Sequence, residues 1–334
     1  MKCLVTGGAG FIGSHIVNRL IDDGHKVIVI DNLSTGKREN VNSKASFYER
    51  DITLINSWLM FRDVDVVFHL SAFPRVEPSI KDPIHSHNMN VNGTLNILNA
   101  CVRHKVKRFV FTSSSAVYGE SDVPTNEYMK TNPMSPYALH KLIGEEYCKL
   151  FSKIYGLETI SLRYSNAYGE GQPTSGPYCN VMGIFEQQKS KGEKLTIVDD
   201  GEQRRDFIYV GDIVEANIQA GFYEHQLNGA VFNVGYGKNY SVNQIAKWIG
   251  GETTNIPPRI EPRETLLDSS EFQECFDWEP TMDLEKWIGD RMNKEKYKKR
   301  LYYLKTEIAH EGHNDGYVLN GLRKELRDLN KKLD

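Results

Sequence analysis

Seven residues near the amino end constrain this chain more than any others: Gly7-Gly8-Ala9-Gly10-Phe11-Ile12-Gly13. A short apolar run, Leu4-Val5, leads straight into glycines spaced Gly7-x-x-Gly10-x-x-Gly13. Apolar residues at Ile12, Ile16, Val17 and Leu20 then recur at helical spacing. Glycine permits a tight positive-φ turn and lets backbone N–H groups approach a pyrophosphate, and a bare Cα at Gly13 lets the helix press on the strand. The anion meets the positive end of that helix. Glycine turns also close ordinary βα units, so the run draws its meaning from the residues downstream. A second strand, Val27-Ile28-Val29-Ile30, ends in Asp31, eighteen residues past Gly13. A carboxylate there accepts both hydroxyls of an adenine ribose and repels a 2′-phosphate, so the pattern predicts NAD rather than NADP.

Short β-branched runs alternate with helical patterns up to about Arg163, at residues 4–5, 27–30, 47–48, 64–68, 109–111 and 159–162. Near-continuous apolar strands separated by helices predict a doubly wound α/β domain with a parallel sheet covered on both faces. The 334 residues, 40% hydrophobic, exceed the ~250–300 at which one core stops growing, which predicts a second lobe. A net charge of −3 gives no global attraction to nucleic acid or membrane, and both are excluded as partners. Five cysteines without CxxC spacing indicate neither a disulfide framework nor zinc, and a reducing cytoplasm fits them. No metal site is expected. No apolar run is long enough to span a bilayer and no leader precedes the first strand, so the chain is expected to be soluble and unprocessed.

In a doubly wound sheet, ligands bind beyond the carboxyl ends of the strands. The residues there are Gly7 to Gly13, Asp31-Asn32, Asp51-Ile52, Leu70-Ser71-Ala72, Thr112 to Ser115 and Tyr164 to Asn166. Asp51 could meet the adenine amino group or cap the next helix. Asn90, in the amide-rich run opening a helix at 88–94, could cap that helix or touch a cofactor. Chemistry concentrates further on. Ser135 is a good N-cap and Pro136 a good first helical residue, so Tyr137 starts a helix with Lys141 on the same face one turn later. A cation within ~4–6 Å lowers a phenol's pKa by roughly 1–3 units, enough to let a tyrosine take a proton from a sugar hydroxyl while hydride leaves the same carbon for the cofactor. Ser114 or Ser115 could relay that proton.

Taken together, Gly7 to Gly13, Asp31-Asn32-Leu33-Ser34, His69-Leu70-Ser71-Ala72, Ser114 with Tyr118-Gly119, Tyr137-x-x-x-Lys141 and Arg163-Tyr164-Ser165-Asn166 resemble the extended short-chain dehydrogenase/reductase family, specifically its nucleoside-diphosphate-sugar 4-epimerases. The resemblance covers about residues 1–290. It implies NAD held in a first lobe (1–167 with 205–240) and a UDP-sugar in a second (168–204 with 241–290). It makes Tyr137, Lys141 and Ser114 the catalytic set, and adds Phe11, Ile12, Ser34, Ile52, Asn90 and Tyr164 to the cofactor contacts. For the sugar nucleotide it implies Asn166, Asn180 with Val181, Val198 on a strand along the uracil, Arg205 on the diphosphate, and then Arg259 with Glu261, which fit the pattern better than Arg263 with Glu264. Family members restricted to glucose and galactose carry a bulky tyrosine where this chain has Thr265. The smaller side chain leaves room for a 2-acetamido group, which implies action on UDP-GlcNAc and UDP-GalNAc as well as UDP-Glc and UDP-Gal.

The implied reaction is hydride removal at C4, turning of the 4-keto sugar, and hydride return to its other face. A 4,6-dehydratase on this fold needs an acid pair after the serine, where Ser115-Ala116 stands. A decarboxylase, a C4 reductase and a non-catalytic NAD-binding scaffold compete with the epimerase reading. The resemblance implies a homodimer through helices starting near Asn92 and Tyr137. Beyond residue 290, a basic helical run at 294–300 reads as a solvated face. Leu319, Leu322, Leu326, Leu329 and Leu333 read as a helical seam docking on the chain itself or on a second subunit, and His310-x-x-His313 with Glu311 as a solvent loop.

Overall fold

The computed structural model describes residues 1–54, 59–74, 76–176, 179–259, 261–310 and 316–332. The first six strands are β1 (Lys2–Thr6), β2 (Lys26–Asp31), β3 (Ser46–Glu49), β4 (Val66–His69), β5 (Arg108–Ser114) and β6 (Glu158–Tyr164). Helices α1 (Phe11–Asp22), α2 (Val76–Lys81), α3 (Pro83–His87), α4 (Gly93–Arg103) and α5 (Pro136–Tyr155) connect them. The later strands are β7 (Asn166–Tyr168), β8 (Leu195–Val198), β9 (Arg204–Tyr209), β10 (Ala230–Val234), β11 (Asn239–Ser241) and β12 (Thr253–Ile256). With them come α6 (Val181–Ser190), α7 (Val210–Phe222), α8 (Val242–Ile249), α9 (Ser270–Phe276), α10 (Leu284–His310) and α11 (Gly316–Asn330).

Seven strands form one parallel sheet in the order β10-β6-β5-β4-β1-β2-β3. The order reverses between β1 and β4, and that switch opens the crevice in which such folds bind ligands. Both faces are covered, which explains the unbroken apolar runs. On one side Cys3, Val5, Val29 and Phe68 pack against Ile16 and Leu20 of α1 and Ile213 of α7. On the other, Leu4, Ile30, Val67 and Phe109 pack against Ile97 and Cys101 of α4 and Phe151 of α5. Each such side chain contributes ~1.5–3 kcal/mol by leaving water. β10 returns from the second half of the chain to pair with β6.

β6 and β7 are separated by Ser165 alone, so the chain steps there from the large sheet into a smaller one ordered β11-β9-β7. A parallel pair, β12-β8, completes the second lobe, whose core includes Tyr168, Phe185, Ile197, Phe207, Ile245 and Trp287. Local signals set the helix starts. Ser135 accepts the Ala138 amide at 3.2 Å ahead of Pro136, and Asn180 accepts the Gly183 amide at 2.9 Å. One start differs from expectation: the segment around Asn90 does not open a helix. Asp82 caps α3, accepting from the His85 amide at 3.0 Å, and the helix runs on through a π-turn at Asn88–Asn92 into α4. Such turns insert one residue and re-aim the side chains around them.

Beyond the second lobe, α11 folds back along α10, with Arg300 Nε 2.9 Å from Glu325 and Lys332 over the Tyr297 ring. Leu304 and Leu329 are buried, so the leucine seam docks on the chain's own preceding helix. Leu333, Glu311 and His313 lie outside the described residues, as do the side chains of His310 and Leu319. Lys294, Lys296, Lys298 and Lys299 are exposed, as the basic run predicted.

Candidate active site

A continuous cavity of about 1220 Å³ runs from the glycine turn across the carboxyl ends of the large sheet into the second lobe. At its closed end, Gly7 has φ +71°, and a Cβ there would lie 2.8 Å from the Ser71 amide nitrogen. A Cβ on Gly13 would lie 2.1 Å from the Gly7 carbonyl oxygen, closer than any side chain tolerates. Gly10 caps α1 without a side-chain hydrogen bond, so no side chain competes for the first-turn amides that suit a phosphate. Asp31 is buried at the lip. It accepts the Ala9 amide at 3.0 Å on one oxygen and the Leu33 amide at 2.8 Å on the other, and each oxygen keeps a lone pair for a ribose hydroxyl. Asn32, Ser34 and Ile52 flank it, and Leu70, Ser71 and Ala72 line the wall beyond the switch point. These residues fit a dinucleotide with an unphosphorylated adenine ribose.

That wall is fixed by a buried polar chain through His69, whose partners Thr6 and Thr94 no motif in the sequence announces. Thr6 Oγ1 lies 2.7 Å from His69 Nδ1 and accepts the Ser71 amide at 3.2 Å. His69 Nε2 lies 3.0 Å from Thr94 Oγ1, whose proton goes to the Asn90 carbonyl at 2.7 Å. The Thr94 hydroxyl is thereby an acceptor for His69, which leaves the proton on Nε2 and lets Thr6 donate to Nδ1. Burial, helped by the positive charge of Lys141, pushes His69 down to about 3, so it is neutral.

At the middle of the cavity, the face of α5 presents Tyr137 and Lys141 beside Ser114 at the end of β5. Lys141 Nζ donates to the Thr112 carbonyl at 2.7 Å and stands 5.9 Å from the Tyr137 ring centroid. Burial pulls Lys141 down to about 8, against the opposing charge of Glu145, so it is mostly protonated at neutral pH. The Tyr137 amide donates to Ser79 Oγ at 3.0 Å, tying the start of α5 to α2. Ser114 Oγ accepts the Ala116 amide at 3.2 Å and keeps its own proton to donate. Ser115, in the next turn, also lines the cavity. Tyr164 closes this wall, and burial pushes its phenol up to about 12, so it is neutral.

The second-lobe end gathers Asn166, Asn180, Val181, Val198, Arg205, Arg259, Glu261 and Thr265. Arg205 does not pair with Asp206 or Asp212; its guanidinium meets Glu261 at 2.9 Å. Arg259 and Glu261 line the cavity, whereas Arg263 turns to Asp200 at 2.8 Å and Glu264 accepts from Asn239 at 2.7 Å. Two predicted contacts do not reach the lining. Asp51 spends its oxygens on the Thr53 amide at 2.8 Å and the Asn32 amide group at 3.1 Å, capping the turn after β3. Asn90 exchanges hydrogen bonds with the backbone of Phe73, 2.6 Å to its amide and 3.1 Å to its carbonyl, and so holds the loop after β4.

Sequence reasoning also missed a buried ion pair between α5 and β6. Arg163 donates to Glu145 from Nε at 2.9 Å and Nη2 at 2.7 Å, and to the Tyr118 hydroxyl at 2.7 Å. Glu145 lies one turn after Lys141, a spacing that could have flagged it.

Comparisons with known proteins agree with this geometry. Residues 3–235 match the family described as the NAD dependent epimerase/dehydratase family. A putative UDP-glucose 4-epimerase of Methanocaldococcus jannaschii is 42% identical over 300 residues, covering 87% of this chain and 97% of that protein. A UDP-N-acetyl-alpha-D-glucosaminuronate decarboxylase of Bacillus cytotoxicus is 35% identical over 256 residues, covering 74% of this chain and 78% of its own. Among solved structures, a UDP-N-acetylglucosamine 4-epimerase from Methanobrevibacter ruminantium, in complex with UDP-N-acetylmuramic acid, superposes with a TM-score of 0.81 at 36% identity, covering 86% of this chain and 96% of that one. With its glycine cradle, its parallel sheet and its tyrosine and lysine on one helical face, the chain belongs to the NAD dependent epimerase/dehydratase family.

Proposed function

We propose that this protein is an NAD-dependent 4-epimerase of UDP-hexoses that accepts UDP-GlcNAc and UDP-GalNAc as well as UDP-Glc and UDP-Gal. The observation that carries the reading is the continuity of one cavity, with a dinucleotide cradle at one end, two arginines at the other, and Tyr137 with Lys141 between them. NAD supplies a reversible hydride acceptor at the sugar C4. Tyr137 takes the proton of the 4-hydroxyl as that carbon is oxidised and gives it back when the carbon is reduced from the opposite face. The protonated Lys141, anchored on the Thr112 carbonyl, stabilises negative charge on the Tyr137 oxygen. Ser114 donates to O4 and keeps it in line.

In this reading Arg205 and Arg259 take the diphosphate, Glu261 the uridine ribose, and Asn180, Val181 and Val198 the base. Asn166 holds the link to the sugar, and Thr265 leaves space at C2. Asp51 and Asn90 act on the cofactor through the loops they hold. The division into a dinucleotide lobe (1–167 with 205–240) and a sugar-nucleotide lobe (168–204 with 241–290) belongs to the same reading. So do a cytoplasmic location and a homodimer, the latter supported by exposed Leu139, Leu150 and Ile154 on α5. Among the described residues no helix is long and apolar enough to cross a membrane.

The test is to mix purified protein, without added cofactor, separately with UDP-GlcNAc, UDP-glucose and UDP-glucuronate, following the anomeric NMR signals. The expected result is the axial C4 epimer from both hexoses. Turnover of UDP-glucose alone removes the Thr265 argument. Loss of carbon dioxide from the glucuronate, with no epimer, replaces the reading by a decarboxylase.

A further inference from the structure

Asp206 on β9 has no exposed surface and does not line the cavity. Its side chain nevertheless grips two separate segments. Oδ1 accepts the Tyr236 amide at 3.1 Å, and Oδ2 accepts the Leu267 amide at 3.1 Å. Its own amide donates to the Thr265 carbonyl at 3.1 Å, and its carbonyl accepts Asn166 Nδ2 at 3.0 Å. Thr265 and Asn166 both line the cavity. Residues 261–267 form no strand or helix of their own; they meet the body in two isolated bridges, at Glu264 and Leu267, and in backbone bonds from the Arg204 amide to the Arg263 carbonyl at 2.9 Å, the Thr265 amide to the Arg204 carbonyl at 3.0 Å and the Thr125 amide to the Leu266 carbonyl at 2.8 Å. Their course is therefore set by what they are tied to, and Asp206 holds them at Thr265 and again two residues later. The side-chain ties at Arg263 and Glu264 run to exposed Asp200 and to buried Asn239, and the Asp206 carboxylate is the fully buried charge among these ties.

We propose that Asp206 is a positioning residue for the sugar nucleotide: its carboxylate helps fix the course of residues 261–267 and thereby where Glu261 and Thr265 meet the substrate. The inference deepens the epimerase reading and rests on it. A carboxylate suits the place because amides converge on both of its oxygens. An asparagine offers one acceptor and must turn its NH2 group against the other N–H. Asp206 does not line the cavity in which Tyr137, Lys141 and the glycine turn lie, so its role predicts weakened substrate binding with the chemistry retained.

The experiment compares wild type, Asp206→Asn and Gly235→Ala in UDP-hexose turnover, with bound NAD quantified in each. Gly235 supplies an independent push: a Cβ there would lie 2.5 Å from Asp206 Oδ2 and 2.9 Å from Leu267 Cβ, shifting the carboxylate without changing its charge. Both variants are expected to raise KM at least about tenfold, the consequence of one buried donor left unpaired, with kcat within about threefold and NAD content unchanged. An unaltered KM in a folded variant overturns the proposal, as does a fall in kcat and NAD content matching the rise in KM, which marks general damage. If Asp206→Asn does not fold, Gly235→Ala decides alone. If wild type epimerises no UDP-hexose, the underlying reading fails and takes this inference with it; an active wild type with unaltered variants sinks only the role of Asp206.

Discussion

Replacing Glu145 by glutamine should cost far more than a surface ion pair would. Glu145 and Arg163 are paired at 2.7 Å with 0% and 4% of their side-chain surface exposed. Burial works against the Arg163 charge, and the hydrogen bonds and charge of Glu145 more than offset it, raising its pKa. Neutralising the acid leaves a guanidinium buried without a counter-charge, a change worth about 3–5 kcal/mol. With typical domain stabilities of about 5–15 kcal/mol, that is a large share of the total. The double variant Glu145→Met, Arg163→Met removes both charges, and its loss should be much smaller, because what is expensive is the orphaned ion. Urea unfolding of the three proteins with NAD bound measures this directly. A second readout ties the pair to the chemistry. Glu145 opposes the effect of burial on Lys141, so its removal should pull that amine below about 8 and move the alkaline limb of the kcat profile to lower pH. A single variant losing under about 1 kcal/mol, or a double variant no better than the single one, would refute the reasoning.

Gly13→Ala should yield soluble protein largely stripped of NAD. Its Cβ would sit 2.1 Å from a backbone oxygen that cannot swing aside, and such overpacking costs ~1–3 kcal/mol or more; full NAD content in the purified variant would contradict this. Acid should destabilise the protein through His69. Its folded pKa, lowered from 6.5 to about 3, means that only the unfolded chain binds the proton between those values, so this contribution to stability is intact above 6.5 and is lost as pH falls. From pH 6.5 to 5 the loss is about 1.7 kcal/mol, and a His69→Gln variant, though weaker at pH 7, should show that much less acid sensitivity in urea midpoints; equal drops would exclude the effect. Truncation after Asn293 should leave turnover within about twofold, since Trp287 meets Glu170 at 3.0 Å and Arg291 meets Glu186 at 2.7 Å before the cut, and α11 packs on the part of α10 beyond it. Loss of activity on truncation would give the extension a role in the site.

How much of the molecule is legible in its chain depends on how far each signal reaches. Strands buried on both faces announce themselves because Cys3, Leu4 and Val5 must all be apolar whichever way they point, and β10 is recognisable for the same reason. Caps act over three residues, so Ser135 and Asn180 mark their helices. The region at Asn90 misleads because Asp82, six residues before the amide-rich run, holds the true cap, and a π-turn leaves no periodicity to read. Candidate site residues are legible where the proposed ligand dictates the residue type: glycines for a phosphate, a carboxylate for a ribose, a tyrosine with a lysine one turn on.

The roles left unread are those dictated by other residues, even where, as at His69, a motif includes the residue. His69 is fixed by Thr6 and Thr94, which lie 63 and 25 positions away, and Asp206 by the amides of Tyr236 and Leu267, 30 and 61 positions away. No local pattern encodes a partner at such a distance, and the partners of Asp206 are backbone groups that any residue type would supply. A carboxylate chosen by backbone amides looks in sequence like any surface acid. The difference appears only when the fold closes water out around it, and there, in the role proposed for Asp206, one charge-bearing oxygen joins the backbone bonds that set where an irregular segment, and the side chains it carries to the cavity, will lie.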